Sequence, residues 1–376
     1  MIMQRRGSLR TRRPFAFLAS LVLALLIGAT GFGGTAQAQE VAPELRGAPT
    51  GGAVPGGTLG TTSDSEFWRA IRRGESGTVS IPDKNAAQLI QSEGENWRAI
   101  RNGPMSVYGA WLMLGMIIVL ALFFLLRGRI KIESGWSGMT VTRFTMVERF
   151  GHWLVAVSFV LHALTGLNML YGRYTLKPLI GPDAFSLLMN AGKWYHNYGA
   201  FAFIAGLVIV FVCWIVHNLP SRYDVVWLAK GGGLFTAHTH PPARKFNAGQ
   251  KIIFWVVILG GVSLSLSGLA LMFPFQFTFF GDTFSALNVF GLGLPADFTP
   301  LQEQQLNQLW HGVVSLAMIA AILAHIYIGT LGMEGAIGAM WSGEVDLNWA
   351  REHHSVWVEE MDKEPAKGGA AAQPAE

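Results

Sequence analysis

The sequence predicts an all-α membrane protein with five membrane-spanning helices. Of its 376 residues, 51% are hydrophobic and only 14% are charged. The mean hydropathy of +0.35 comes from five long apolar runs rather than from an even distribution. An uncharged run of about 18 residues or more can cross the hydrocarbon core of a bilayer as a helix. The predicted spans are residues 105–126, 150–171, 194–217, 251–273 and 307–333.

Charge and cysteine content exclude several classes of protein. The formal net charge is only +4, and the basic residues are not gathered into one arm or face, which argues against nucleic-acid binding. Cys213 is the single cysteine. One thiol excludes an intrachain disulfide, a haem attached through a Cys-x-x-Cys-His motif and a self-contained iron–sulfur cluster. If electrons pass through this chain, another subunit must deliver them.

The N-terminal part is predicted to be exported. Residues 1–38 combine a basic start, an apolar stretch and the small-residue motif AQA at 36–38, which is typical of a signal peptide cleaved after Ala38. The alternative is an uncleaved signal anchor. Residues 39–104 are rich in Gly, Pro, Ser and Thr, and we expect an extended segment outside the membrane. Within it WRAIR occurs at 68–72 and again at 97–101, either as docking elements for a partner or as amphipathic turns on the membrane surface.

The loop charges predict the orientation of the helices. Residues 127–149 and 222–251 each contain five Lys or Arg, residues 172–193 contain three, and residues 274–309 contain none. Because basic loops stay on the cytoplasmic side, we expect the two more basic loops and the C-terminus inside, and the extension outside. The predicted divisions are an additional helix (105–126), a cytoplasmic loop (127–148), a four-helix core (149–335) and a cytoplasmic tail (336–376). The bacterial inner membrane is the expected location.

Two histidines in the last span predict the arrangement of the core. His311 and His325 are 14 residues apart, about 21 Å along an α-helix with a residual angle of roughly 40°. Both imidazoles therefore leave one face of one helix, near opposite surfaces of the membrane. A ligating side chain inside a membrane helix is costly and usually has a functional reason.

Two further histidines lie at matching depths. His152 begins the second span on the cytoplasmic side, where His325 also lies, and His196 begins the third span on the outer side, where His311 lies. A haem iron held by two histidines needs one imidazole from each side of the porphyrin. The sequence thus predicts two haem b groups, one ligated by His152 and His325 and the other by His196 and His311. The alternative for each histidine is a polar residue at a helix end or at the headgroup level.

The other six histidines do not fit this pattern. His162 lies about 80° away from His152 around its helix, and we expect a core residue. His217 is expected at the membrane interface. His238 and His240 form a loop His-x-His motif, which is weak evidence for metal. The last two, His353 and His354, are expected to be solvated or packed on a partner. Three of the four paired histidines have a glycine nearby in sequence, namely Gly151, Gly199 and Gly312, and these glycines are expected to let a flat ring approach the backbone.

Several motifs in residues 143–360 recur in one known family. They are ERFGHW at 148–153, HNLP at 217–220, KFNAGQK at 245–251 and WAREHH at 349–354, together with both histidine pairs. In these features the chain resembles the membrane cytochrome b (gamma) subunit of respiratory formate dehydrogenase. It departs from the shorter family pattern by the signal, the outer segment and the additional helix, about which the shared motifs say nothing.

The resemblance implies a di-haem four-helix bundle that passes electrons to menaquinone or ubiquinone. It implies an iron–sulfur (beta) subunit as electron donor and a molybdenum- or tungsten-containing catalytic (alpha) subunit, with no formate-oxidising site in this chain. It also implies that Asn247, Gly249 and Gln250 line the quinone pocket. Amide side chains suit a quinone carbonyl. In the alternative interpretation Asn247 caps a helix, and both roles can hold together.

Two alternatives to this function remain at the level of sequence. The chain could be the cytochrome b subunit of a membrane-bound hydrogenase or of another molybdoenzyme, since formate chemistry leaves no trace in it. It could also be a haem-free membrane anchor or a proton-coupled transporter whose intramembrane histidines relay protons. A reduced-minus-oxidised optical spectrum distinguishes these classes, because the second has no haem b bands.

Overall fold

The computed structural model describes Gln4–Arg5, residues 93–236 and residues 238–363. Apart from Gln4–Arg5, the predicted signal lies outside the described residues, as do most of the extension and the first WRAIR copy. The all-α membrane class and the five predicted spans are confirmed. Helices long and apolar enough to cross a membrane cover Asn96–Arg127, Met146–Thr175, Lys177–Trp214, Ala248–Met272 and Pro300–Gly332.

The described α-helices are named in chain order. They are α1 (Glu93–Ile100), α2 (Ser106–Arg127), α3 (Met146–Thr175), α4 (Lys177–Tyr198), α5 (Ala200–Trp214), α6 (Arg222–Ala229), α7 (Ala248–Met272), α8 (Phe279–Asn288), α9 (Pro300–Tyr327), α10 (Gly338–Trp341), α11 (Leu347–His353) and α12 (Ser355–Lys363). The strands β1 (Gln4–Arg5), β2 (Met139–Thr142) and β3 (Glu344–Asp346) form an antiparallel sheet in the order β1-β2-β3.

Three of the long helices begin with the same cap. At α3 the Thr145 side chain accepts a hydrogen bond from the Glu148 N–H, and the Glu148 carboxylate accepts from the Thr145 N–H. Asn247 with Gln250 at α7, and Thr299 with Gln302 at α9, repeat this reciprocal arrangement. Each cap satisfies backbone donors that the first turn of a helix leaves open. The cap therefore fixes where each apolar run enters the membrane.

The bundle is built from closely packed helix pairs: α3 with α5, α7 with α9, and α2 with α9. Small residues allow the close approach of α3 and α5. A Cβ added to Gly151 would lie 2.6 Å from Ile209 Cγ2, and one added to Gly206 would lie 2.8 Å from Val155 Cγ2. Within a membrane, such packing between small residues is a main source of helix association.

Residues 172–193, which lie between two predicted spans and were expected to form a loop, are almost entirely helical. Helix α3 continues to Thr175, and α4 occupies Lys177–Tyr198 before leading through Gly199 into α5. The segment is rich in Leu and Ala, which favour a helix once the surrounding packing supports it. The one non-helical backbone within α4 is at Gly181, where φ is +82°. The connection between the fourth and fifth spans likewise contains a helix, α8.

The described C-terminal residues fold against the loop between α2 and α3. We call β2, β3, α10, α11 and α12 the C-terminal layer. Its apolar core includes Val345, Leu347 and Trp349, each at most 2% exposed. The Asp346 carboxylate accepts hydrogen bonds from the Ser137 and Asn348 N–H groups. These contacts tie the tail to the bundle.

We expect Asp346→Ala to loosen the C-terminal layer. The substitution leaves the partly buried N–H donors of Ser137 and Asn348 without their acceptor, which costs about 1 kcal/mol. The rate of limited proteolysis of the tail in detergent-solubilised protein measures the effect. Asp362→Ala, at an exposed position, is the matched control. Equal cleavage rates for the two variants would contradict the structural role of Asp346.

Candidate metal centres

The structure brings the four predicted histidines together in two pairs. The rings of His152, on α3, and His325, in the last turn of α9, have centroids 6.2 Å apart. The rings of His196, in the last turn of α4, and His311, on α9, have centroids 6.1 Å apart. All four side chains are half-buried. One helix, α9, thus supplies one imidazole to each pair.

Both separations fit two imidazoles on one metal atom. A metal–imidazole bond is about 2.0 Å long and the ligating nitrogen lies about 1 Å from the ring centre, so two rings on opposite sides of one metal have centroids about 6 Å apart. The two ring planes are inclined at 57° in one pair and at 64° in the other. Their residues therefore fit axial ligation of a haem iron at each end of the bundle.

Two hydroxyl groups, of which that of Ser267 is fully buried, orient the pair of His196 and His311. Thr165 Oγ1 lies 2.9 Å from His196 Nδ1, and Ser267 Oγ lies 2.9 Å from His311 Nδ1. Each hydroxyl donates its own hydrogen to the carbonyl one turn earlier, at Leu161 and Ser263. The hydroxyl oxygens therefore accept from the histidines, which places the imidazole hydrogen on Nδ1 and leaves the Nε2 lone pair for a metal.

The hydroxyl residues are part of a repeated motif that sequence reasoning missed. Thr165-Gly166-Leu167 on α3 and Ser267-Gly268-Leu269 on α7 stand at corresponding places. A Cβ added to Gly166 would lie 3.5 Å from His196 Cε1, and one added to Gly268 would lie 3.5 Å from His311 Cε1. In each motif the hydroxyl orients one imidazole and the glycine leaves room beside it. In the sequence, a Thr or Ser followed by Gly-Leu occurs in two of the predicted spans, and this recurrence could have revealed the motif.

The expected role of the other glycines is wrong. Gly151 faces Ile209, Gly199 faces the ring of its own neighbour Tyr195, and Gly312 faces Met105. Their small size serves helix packing and a helix end. Gly151 and Gly312 are directly adjacent to histidines in sequence, but consecutive helical residues point in directions about 100° apart, so adjacency does not place them on the same face. Gly199 lies at the junction of α4 and α5.

The pair of His152 and His325 has different surroundings. His152 Nδ1 is buried and has no hydrogen-bond partner among the described residues. Its ring lies 5.4 Å from that of Trp153 and 6.4 Å from that of Trp214. The Trp214 N–H donates to the Glu148 carboxylate, which also forms an ion pair with Lys245. A network of aromatic rings and charged groups therefore adjoins the pair of His152 and His325, whereas hydroxyl groups adjoin the pair of His196 and His311.

The remaining histidines within the membrane and at its edge occupy structural positions. His162 Nδ1 lies 2.6 Å from the Ser158 carbonyl and its Nε2 lies 3.1 Å from the His196 carbonyl, as expected of a core residue. The His217 ring stacks on Phe246 at 6.4 Å. Burial lowers the pKa of His217, which lies just beyond α5.

The expectation of solvated histidines in the tail is wrong. His354 is 0% exposed, and its ring packs between Trp349 and Trp357. Trp349 also contacts His353. The loop histidines His238 and His240 both bind the Glu133 carboxylate. The tail residues are buried by strands and loops that lie far away in sequence. Such burial does not require a run of apolar residues in the tail itself, so no local sign of it appears in the sequence.

The residues predicted to line a quinone pocket lie at the start of α7. Asn247 Oδ1 accepts from the Gln250 N–H at 2.9 Å, and Gln250 Oε1 accepts from the Asn247 N–H at 3.1 Å. A Cβ on Gly249 would lie 2.8 Å from the Trp227 ring. The helix-capping role is thus present. The side-chain N–H groups of Asn247 and Gln250 have no described protein partner, so they remain as donors.

A groove of about 510 Å³ follows another face of α7. It begins beside Ala248 and Lys251 and runs past Trp255 to Gly260. The Lys251 ammonium is satisfied by the Leu219 carbonyl and the Asp224 carboxylate. Asn247, Gly249 and Gln250 do not line this groove, which is therefore separate from the residues predicted for quinone.

An apolar helix bundle with one imidazole pair near each end is the architecture expected of a membrane cytochrome, which is an electron-transfer protein. The chain belongs to the prokaryotic cytochrome b561 family, whose sequence profile matches residues 143–343, just over half of the chain. The matched region contains all four paired histidines. Haem b is the cofactor that this family implies, and the chain is an integral membrane protein.

Named relatives share most of their length with this chain. The nitrate-inducible formate dehydrogenase cytochrome b556(Fdn) subunit of Escherichia coli K12 is 28% identical over 230 residues, covering 60% of this chain and 94% of that protein. The formate dehydrogenase cytochrome b556(fdo) subunit of the same strain is 28% identical over 229 residues, covering 61% and 96%. The formate dehydrogenase cytochrome b556 subunit of Haemophilus influenzae is 23% identical over 233 residues, covering 61% and 87%.

We expect Thr165→Val and Ser267→Ala to weaken haem binding at the pair of His196 and His311. Each change removes the acceptor that fixes the imidazole tautomer, and loss of such a partner costs about 10–100-fold in metal affinity. Haem content and low-spin spectra of the purified variants measure the effect. Thr175→Val, at the end of α3 and away from both pairs, is the control. Unchanged haem retention under dilution in both site variants would refute the orienting role.

Proposed function

We propose that this chain is the membrane cytochrome b subunit of a formate dehydrogenase complex. It carries electrons from an iron–sulfur (beta) subunit outside the membrane, through two b haems, to quinone near the cytoplasmic side. The observation that supports this most directly is the pair of ring separations, 6.2 Å and 6.1 Å, at opposite ends of one helix. Relatives that align over 94–96% of their length are named as cytochrome subunits of formate dehydrogenase.

In this proposal His152 with His325 would hold the iron of one haem, and His196 with His311 would hold the iron of the other. When bound, the haem irons supply reversible one-electron redox chemistry. The protein would supply neutral imidazole nitrogens for the irons, apolar surroundings for the porphyrins and fixed positions for the two haems. The two pairs are separated by 14 residues of α9, about 21 Å, so haem groups held at both pairs would lie within tunnelling distance of each other.

The quinone site is proposed beside the pair of His152 and His325. Asn247 and Gln250 use their side-chain oxygens for the helix cap and retain N–H donors for a quinone carbonyl. Phe246, the residue before this cap, lies 5.4 Å from Trp214 by ring centroids, and Trp214 lies 6.4 Å from His152. This aromatic contact places the start of α7 near the inner pair. The absence of a Cβ at Gly249 allows the start of α7 to pack against the Trp227 ring.

The orientation in the membrane rests on the loop charges. The connection between α7 and α9 contains no Lys or Arg, whereas residues 127–149 and residues 222–251 each contain five. We therefore place the C-terminal layer in the cytoplasm and the pair of His196 and His311 near the outer surface. Electrons would then enter from outside and protons for the quinol would be taken from the cytoplasm. The catalytic subunit with molybdenum or tungsten would lie beyond the iron–sulfur subunit.

We expect His325→Ala to remove one haem and leave the other, and His311→Ala to do the converse. Each substitution deletes one axial nitrogen, while the other pair is untouched. The pyridine haemochrome content per chain and the potentiometric titration of the purified complex measure the number of remaining haems. His217→Ala, outside both pairs, should retain two. Two low-spin haems in His325→Ala would refute the assignment of the ligands.

We expect Asn247→Asp and Asn247→Ala to raise the quinone KM without changing haem content. The aspartate variant retains the oxygen that caps α7 and loses the N–H donor, whereas the alanine variant loses both, at a stability cost of about 1 kcal/mol. Steady-state quinone reduction and thermal stability are measured for both. If the Asn247→Asp variant behaves as the unsubstituted chain and only the Asn247→Ala variant is impaired, Asn247 acts as a cap alone.

A further inference from the structure

The connection between α7 and α9 presents apolar side chains at its tip. Val289 is 82% exposed, Phe290 is 80% exposed, and Leu292 is exposed as well. We call residues 289–292 the apolar tip. Exposed apolar groups gathered in one place commonly mark a surface that another molecule covers. The apolar tip has no part in either histidine pair or among the residues proposed for quinone.

Hydrogen bonds hold the apolar tip in one shape. The Asn288 side chain donates to the Leu294 carbonyl at 2.8 Å and accepts from the Leu294 N–H at 2.6 Å, which closes the loop around the tip. Gly291 and Gly293, with φ of +77° and +63°, supply turns that other residues adopt only with strain. A loop that is already fixed loses little conformational freedom when it binds. The chain therefore holds these apolar side chains ready for contact.

The helix that carries the apolar tip, α8, is anchored beside the pair of His196 and His311. The Glu303 carboxylate, in the first turn of α9, accepts a hydrogen bond from the Phe280 N–H at the start of α8. The Phe280 ring lies 6.2 Å from that of Trp310, the residue before His311. Glu303 is fully buried, so this attachment belongs to the packed structure. The apolar tip is thus part of the end of the bundle at which His196 and His311 meet.

The same attachment places the start of α8 outside the hydrocarbon core of the membrane. The first two turns of α9 are rich in polar and charged residues, namely Gln302, Glu303, Gln304, Gln305 and Asn307. A stretch with this many polar side chains does not lie among lipid tails, and the apolar part of α9 begins after it. Because α8 is bonded to Glu303, its start lies at or beyond the membrane surface.

The charges around the apolar tip indicate what kind of molecule covers it. Residues 274–309 contain no Lys or Arg and three carboxylates, of which Asp282 and Asp297 are exposed. An element that binds the membrane surface carries Lys and Arg for anionic lipids, and this segment has none. Two copies of this chain that met through the segment would bring like charges together, which is unfavourable. The partner that fits is a different protein, with an apolar pocket surrounded by basic residues.

We propose that the apolar tip is a docking element for the iron–sulfur subunit that delivers electrons to this end of the bundle. This inference rests on the proposed function, and it assigns to that subunit an apolar pocket with a rim of Lys and Arg. Protein interfaces combine an apolar centre with a polar rim, and aromatic side chains often dominate the binding energy. Phe290 fills the centre, and Asp282 and Asp297 face the basic rim. Because α8 packs on Trp310, a subunit docked here lies close to His311.

The first test identifies what covers the apolar tip in the intact complex. Phe290 is replaced by the photoreactive p-benzoylphenylalanine, and the complex is irradiated in nanodiscs of phosphatidylethanolamine and phosphatidylglycerol. Val212, an exposed residue of the apolar helix α5, is replaced in the same way as the control for contact with lipid. We expect position 290 to cross-link to the iron–sulfur subunit, identified by mass spectrometry, and position 212 to label lipid. Labelling from position 290 of lipid only, of a second copy of this chain only, or of nothing would overturn the docking assignment.

The second test measures the strength of the contact. We expect Phe290→Ser to raise the dissociation constant of the iron–sulfur subunit about tenfold or more, as loss of an aromatic anchor does. Asp282→Asn combined with Asp297→Asn should slow association at low salt and have less effect at high salt, because exposed charges steer the encounter and are screened by ions. Ser285→Ala, at an exposed position of α8, is the control and should bind as the unsubstituted chain does.

The haem spectra separate loss of docking from loss of the fold. All variants should keep the spectra of the unsubstituted chain and be reduced by dithionite at the same rate, because the substituted residues lie outside both histidine pairs. Reduction by formate through the complex should slow in Phe290→Ser alone. Unchanged binding in Phe290→Ser and in the double Asp variant would refute the role of the apolar tip. A purified unsubstituted complex that contains no iron–sulfur subunit would overturn the proposed function instead.

Discussion

The arrangement of the bundle depends on one requirement, that two imidazoles from different helices approach a common point. At one end α3 and α9 meet this condition, and at the other end α4 and α9 meet it, with ring separations that differ by only 0.1 Å. Neutral imidazoles inside an apolar bundle are costly unless their nitrogens are used. The close contact of α3 with α5, through Gly151 and Gly206, and of α7 with α9, holds the helices in the positions that the pairs need.

The two ends of the bundle are stabilised by different chemistry. At the pair of His196 and His311, Thr165 and Ser267 supply hydroxyl oxygens within the membrane, where a neutral group costs less than a charge. Near the pair of His152 and His325, charged groups become available at the membrane edge. Glu148, Lys245 and Arg143 lie there among aromatic rings. In Arg143, burial lowers the pKa to about 9, and the charge of Glu148 opposes this effect.

The features that follow a regular period could be predicted from the sequence. The apolar runs gave the five spans, and the 14-residue interval between His311 and His325 placed them on one face of α9. The reciprocal caps at Thr145 and Asn247 mark helix starts. Features that depend on distant contacts could not be predicted in this way. The packing of His354 against the Arg244 carbonyl, and the binding of Glu133 to His240, join segments about 100 residues apart or more.

Other differences arise because a local pattern has two structural solutions. Residues 177–193 lie between two of the predicted spans, yet Lys177–Tyr198 form a helix that places His196 in its last turn. The glycines beside the histidines suggested space for a flat ring, but the glycines that face the imidazoles are Gly166 and Gly268, which are remote in sequence. Direction around a helix, rather than adjacency along the chain, decides which small residue adjoins an imidazole.

The shared helix α9 makes the spacing of the two pairs a property of the main chain. Fourteen residues of backbone hydrogen bonds separate His311 from His325, so side-chain changes on the surface of α9 leave that interval intact. A single inserted residue between them would rotate one imidazole by about 100° relative to the other and would separate at least one pair. Within this stretch the chain can therefore tolerate changes of residue type far more readily than changes of length.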